Sequence, residues 1–157
     1  AVVAENLAQA DALWHVRESI PLAQAEEGLN IKHDISVPVS RIPAFCAETD
    51  ALLAHEIPGV RLVNFGHLGD GNLHYNVQAP AGVDGVAFLR EQEERVNTLV
   101  FDAVHRFGGS ISAEHGVGSL KATKLPHYKS AVALQMMRAI KQALDPQGVM
   151  NPGRVLG

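Results

Sequence analysis

The stretch VRLVNFGHLGDGNLHYNVQA, residues Val60 to Ala79, decides how this chain folds. Two strand-like runs, VRLVNFGHL and NLHYNVQA, flank Asp70-Gly71, a pair favoured in two-residue hairpin loops. A hairpin here forces antiparallel pairing. With Asp70 and Gly71 as the loop, Leu68 faces Leu73 and His67 faces His74 across the ladder, their β-carbons about 4.5–5.5 Å apart, with Asn76 on the same face. On one continuous strand, histidines seven positions apart would point to opposite sides.

Upstream of the hairpin, IKHDISVPV alternates, with Ile31, His33, Ile35 and Val37 on one face and Lys32, Asp34 and Ser36 on the other. Pro38 places the end of this strand near a sheet edge. A helix follows from about Ile42 to His55, with Ser40 as its cap and Pro43 in its first turn, and Pro58-Gly59 closes the unit. At the start of the chain, Val3, Leu7, Ala10 and Trp14 form a helical stripe that runs to about Ile20, where Pro21 interrupts it. Continued by one turn, the stripe lands on Arg17. Two readings of that guanidinium are open: a stem lying over the core with its head in water, or an anion clamp at the helix end.

Downstream, a long helix is expected from about Gly85 to Phe107, burying Val86, Leu89, Val96, Leu99, Val100, Ala103 and Val104 and ending at Gly108-Gly109. SISAEHG reads as another short strand, and a helix from about Ser130 to Leu144 precedes DPQGVMNPGRVLG. The expected class is α+β, an antiparallel sheet with helices packed on one face, resembling a ferredoxin-like arrangement.

At 157 residues with 46% hydrophobic content, the chain has the size and composition of one domain with a real core. Its net charge of −4 gives no basic footprint for nucleic acid, and no stretch approaches the ~20 apolar residues that would form a transmembrane segment. Cys46 is the only cysteine, so an intramolecular disulfide and an all-cysteine zinc site are excluded, which fits a reducing compartment. A cytoplasmic location is expected, with a peripheral membrane position or the mitochondrial matrix as alternatives. The chain begins without Met and inside a helical pattern, so it reads as a piece of something longer, with part of any active site on the remaining portion.

Two imidazoles held face to face each need a partner for the second ring nitrogen, and a divalent metal satisfies both. The alternative is a pair of wet polar residues at a hairpin edge. SAEHGVG supplies a third ligand type in Glu114, next to His115, provided that Gly116 and Gly118 let the backbone aim both into one cavity. Two histidines and a carboxylate leave a coordination position open, as in catalytic zinc sites, though iron or manganese suits the same donors. On the blander reading, Glu114 caps the next segment and His115 lies on the surface.

Three motifs, GHLGDGNLHYN at 66–76, SAEHGVGSLK at 112–121 and ALDPQGVMNPGRVL at 143–156, closely resemble the C-terminal substrate domain of FAD-linked oxidases. That family includes D-lactate dehydrogenases, D-2-hydroxyglutarate dehydrogenases and the glycolate oxidase flavoprotein subunit. The resemblance covers nearly the whole chain. It implies that residues 1–157 are the substrate and metal-binding domain of an FAD-dependent 2-hydroxy acid dehydrogenase, following an FAD-binding domain of the same parent chain that carries most of the FAD contacts. It further implies His67, His74 and Glu114 as ligands of a divalent metal, zinc first among the candidates, and His115 as the base. Arg17 in WHVRE, Lys32 in IKHDISVP and Asn76 would line the pocket for a small 2-hydroxy acid, and Asn151 would lie on the flavin side. Pro21 stands where members that bind a dicarboxylate can carry a small hydroxyl residue. An electron acceptor would reoxidise the flavin, and this piece alone would be inactive. Two other readings compete: an independent metal-dependent hydrolase, and a noncatalytic metal-binding module.

Overall fold

The computed structural model describes residues 2–156. Its elements run α1 (Leu7–Glu26), β1 (Asn30–Ser36), α2 (Ile42–Glu56), β2 (Arg61–His67), β3 (Asn72–Gln78), α3 (Gly85–Arg106), α4 (Leu125–Tyr128) and α5 (Ala131–Leu144). The three strands form an antiparallel sheet in the order β1-β3-β2, so the β2-β3 hairpin and the proline-terminated β1 meet at the central strand β3.

The alternation in the sequence becomes two unlike faces. Ile31, His33 and Ile35 of β1 share a face with Leu73, Tyr75 and Val77 of β3, and α2 and α3 bury it with Phe45, Leu53, Val96, Val100, Phe101 and Val104. Each such apolar side chain taken from water contributes about 1.5–3 kcal/mol, so this face carries the stability of the unit. The opposite face is polar. It carries Lys32, Asp34 and Ser36 on β1, Asn72, His74, Asn76 and Gln78 on β3, and Phe65 and His67 on β2. Three helices open on residues suited to capping: the Asn6 amide oxygen accepts from Gln9 N–H at 2.9 Å, the Asp84 carboxylate from Ala87 N–H at 2.8 Å, and the Ser130 hydroxyl from Ala133 N–H at 3.2 Å.

The hairpin loop is longer than the two residues expected. Leu68–Asp70 form a 3-10 turn closed by Gly71 in the left-handed region (φ 77°), which moves the register so that His67 faces Asn72 and Phe65 faces His74. The physical reason lies in the neighbouring strand end: Val37 N–H donates to the Gly71 carbonyl at 3.0 Å, and a β-carbon on Gly71 would lie 2.1 Å from the Val37 carbonyl oxygen. Asp70 turns inward to accept from Asn72 N–H at 3.0 Å. His67 and His74 therefore sit diagonally on one face, with ring centroids 6.5 Å apart.

Four smaller expectations also change. Pro21 does not end α1, which continues to Glu26 because its last turns are held on the sheet: Gln24 accepts from Asn76 and, through its carbonyl, from Gln78. The stripe of Val3, Leu7 and Trp14 is exposed rather than buried, as is Val86 on α3. Arg41, not Ser40, precedes α2, and it makes no side-chain cap. SISAEHG is not a strand; only Ser110 bridges to Ser36, after which residues 111–117 form an irregular loop.

Candidate functional site

The polar face of the sheet, the end of α1 and the loop after Ser110 enclose a cavity of about 640 Å³. Lys32, His74 and Asn76 rise from the sheet, Pro21 and Gln24 come from α1, and Glu114, His115 and Lys121 come from the loop and the turns that follow it. Arg154, on the C-terminal tail, completes the wall. The tail is tied in place by Val155 N–H donating to the Gly118 carbonyl at 2.8 Å, while the Arg154 guanidinium donates to the Ser119 hydroxyl at 2.5 Å.

Glu114 is the meeting point of the histidines. One carboxylate oxygen lies 2.8 Å from His67 Nδ1, and the other lies 3.9 Å from His74 Nε2. The buried Asn72 amide donates to the Glu114 carboxylate and lies 3.3 Å from His67 Nδ1, while its own oxygen has no partner among the described residues. Two imidazoles and a carboxylate are donor types that zinc, iron or manganese accepts. A second group of donors, Asp34, Glu114 and His115, lies within 4.8 Å. Asp34 is the poorer ligand because its oxygens already accept three backbone N–H groups, from Ala113, Glu114 and His115 at 2.9–3.1 Å. His67, His74 and Glu114 do not all lie within 4.8 Å of one another; what the structure shows is the approach of each imidazole to Glu114.

Burial works to raise the Asp34 carboxyl above its ordinary range, and the N–H donors of His115, Glu114 and Ala113 more than offset it, so the group sits low and ionised. Lys121 lies partly buried beside it, and burial pulls its ammonium down despite the attraction of Asp34. His115 projects its ring at the cavity wall, 6.0 Å from that of His74 between centroids.

The expected substrate residues divide. Lys32 and Asn76 line the cavity, and Asn76 is fixed by donating to the Gln24 side chain at 2.7 Å. Arg17 is not among the lining residues; its guanidinium stacks 5.2 Å from the Phe65 ring centroid and donates to the Gly66 carbonyl at 3.4 Å, behind the Phe65 wall. Asn151 is exposed on the tail and does not line the cavity, whereas Arg154, three residues further on, does. Asp34, Asn72, Gln24, Lys121 and Arg154 are the residues that sequence reasoning missed. Asp34 and Asn72 had a usable signal, since they alternate in phase with Lys32 and with His74. Gln24 and Arg154 had none.

One face of the sheet is thus packed by helices, and the other carries histidines, carboxylates and cationic side chains around a cavity. The chain belongs to the family described as FAD linked oxidases, C-terminal domain, which matches residues 1–155. Its relatives include the D-2-hydroxyglutarate dehydrogenase of Xanthomonas citri pv. viticola, 44% identical over 98% of this chain and 32% of the relative. The protein of the same name from Stutzerimonas stutzeri is 40% identical over 98% of this chain and 33% of the relative. The mitochondrial one from Arabidopsis thaliana is 36% identical over 99% and 26%. The chain thus spans about a third or less of the length of these relatives. No helix among the described residues is long and apolar enough to cross a membrane.

Proposed function

We propose that residues 1–157 are the substrate and metal-binding domain of a longer FAD-dependent 2-hydroxy acid dehydrogenase, joined in its parent chain to a domain that binds FAD. The observation that carries this reading is that His67 and His74 both approach Glu114, and that His74, Glu114 and His115 line one cavity with Lys32, Lys121 and Arg154. The relatives' names make D-2-hydroxyglutarate the first substrate to try. Lys32, Lys121 and Arg154 line the cavity against the carboxylates of Asp34 and Glu114, which leaves a single positive charge in excess to attract an anionic substrate.

A metal held by His67, His74 and Glu114 would supply polarisation of the substrate hydroxyl, and FAD on the adjoining domain would supply a hydride acceptor. The chain's own residues do the rest. Lys32 attracts a carboxylate, and the Asn76 amide, held by Gln24, fixes the substrate's orientation. His115 accepts the hydroxyl proton as the carbon–oxygen double bond forms, a task suited to a side chain whose ordinary pKa lies near neutrality. Arg17, held by Gly66 and Phe65 outside the cavity lining, would clamp a substrate carboxylate only by leaving those partners.

Metal analysis of chelator-free protein should find close to one transition metal per chain, lost in His67→Ala, His74→Ala and Glu114→Ala. Retention in all three variants would reject the ligand set. In the full-length flavoenzyme, His115→Asn should slow flavin reduction by about 10²–10⁴-fold in stopped-flow with normal metal content. Unchanged reduction would remove His115 as the base.

A further inference from the structure

Asp34 is buried on β1 directly opposite His74 of β3, and on the proposed function its side chain touches neither the reacting carbon nor the flavin. Its surroundings are nevertheless specific. The Ala113, Glu114 and His115 N–H groups all point into its carboxylate, Glu114 N–H at 3.1 Å from both oxygens and His115 N–H at 2.9 Å from one. Three consecutive amides gathered on one anion form a nest, and each bond is strengthened by the charge it meets.

The same strand residue anchors the loop from further along. Lys121 Nζ donates to the Ile111 carbonyl at 2.7 Å and to the Asp34 carbonyl at 3.4 Å, while Ser110 is paired with Ser36 through bonds of 2.8 and 3.0 Å. Between these ties the loop has little else to hold it: residues 113–116 are exposed, and residues 111–117 belong to no helix or strand. The position of Glu114 and His115 is therefore set by hydrogen bonds and not by burial: β1 holds their backbone N–H groups, and Asn72 of β3 donates to the Glu114 carboxylate.

Building on the proposed function, we infer that Asp34 is the positioning residue of the site: its carboxylate organises the 113–115 amides so that Glu114 meets His67 and His74 and the His115 ring stands at the cavity wall. An unpaired run of three N–H groups would turn to water and carry both side chains away. Asp34→Asn tests this directly, since it keeps the shape of the side chain but sets an amide N–H against backbone N–H groups.

In the full chain, hydrogen exchange at the Ala113, Glu114 and His115 amides should accelerate by about 100-fold in Asp34→Asn, and zinc affinity, read by competition with a chromophoric chelator, should fall by about 10–100-fold. Exchange at Tyr75 and Val77, in the core strand, should stay as in the wild type, a pattern that a merely structural residue would not give. Asp34→Glu, which retains the charge and both acceptor oxygens, should recover part of both losses. Unchanged exchange at 113–115, an equal acceleration at Tyr75 and Val77, or no recovery by Asp34→Glu would each overturn the assignment. A wild-type chain that takes up no zinc would instead sink the proposed function, and the exchange pattern would still decide the clamp.

Discussion

His33 stands next to Asp34 in sequence but points to the other side of the sheet, and that one step separates two kinds of chemistry. Its Nδ1–H donates to the Tyr75 carbonyl at 2.8 Å, and its ring packs edge-on against Phe101. Burial drives its pKa from 6.5 to about 4, so the folded protein holds it neutral where the unfolded chain would protonate it. Between those values the unfolded state binds more protons, and stability must fall as the pH drops from 6.5 toward 4. The full gap is worth about 3 kcal/mol. Urea unfolding at pH 7.5 and 4.5 should show this loss, and His33→Asn, whose amide can still donate to Tyr75, should flatten the dependence. Equal slopes in the two proteins would show that His33 is not the group responsible. The alternation of IKHDISVPV already assigned His33 to the apolar face and Asp34 to the polar one. Sequence could not show what each residue meets there, because Tyr75 lies 42 and Glu114 lies 80 positions away.

At the scale of elements, the hairpin shows where local rules stop. Asp70-Gly71 predicts a tight turn, and a turn does form, but contact with Val37 selects a longer one and shifts the pairing. Because side chains alternate with a period of two, a change that leaves His67 facing Asn72 keeps both histidines on the polar face while separating them along it. Gly71→Ala should destabilise the chain by about 2–4 kcal/mol, since it adds a side chain in the left-handed region and against the Val37 carbonyl. Gly69→Ala is the control: no atom lies within 4 Å of its new β-carbon, and the change should stay within about 0.5 kcal/mol. Chemical denaturation of both variants separates the two cases, and a Gly69 effect as large as that at Gly71 would refute the contact argument. Pro21 errs in the same way, because α1 is held over the sheet by Gln24, Asn76 and Gln78, contacts that no helix-stop rule can see.

For the molecule as a whole, the division of labour between the two sheet faces sets what each part contributes. One core lies between the sheet and the helices α2 and α3, and α5 adds little to it beyond Leu134. On α5, Val132, Met136, Ile140 and Leu144 recur at four-residue spacing and are more than half exposed, so the periodicity that correctly predicted a helix could not tell which side would be covered. Exposed apolar area that gains no cover on folding adds nothing to the stability of this fold. Met136→Gln and Ile140→Gln together should therefore change the unfolding free energy by less than about 1 kcal/mol. Phe45→Ala, which removes a fully buried ring packed edge-on against Tyr75 and Phe107, should cost about 3–5 kcal/mol. Urea midpoints at constant slope measure both, and a loss on α5 comparable to that at Phe45 would mean that α5 carries part of the core in solution. The comparison also bears on the site, because Lys141 at the end of α5 donates to the Asp145 carboxylate and the Met150 carbonyl, at the root of the tail that brings Arg154 to the cavity. Since the double substitution leaves Lys141 in place, it should remove apolar surface without releasing the tail, and hydrogen exchange at the Val155 amide, which donates to the Gly118 carbonyl, should match that of the wild type.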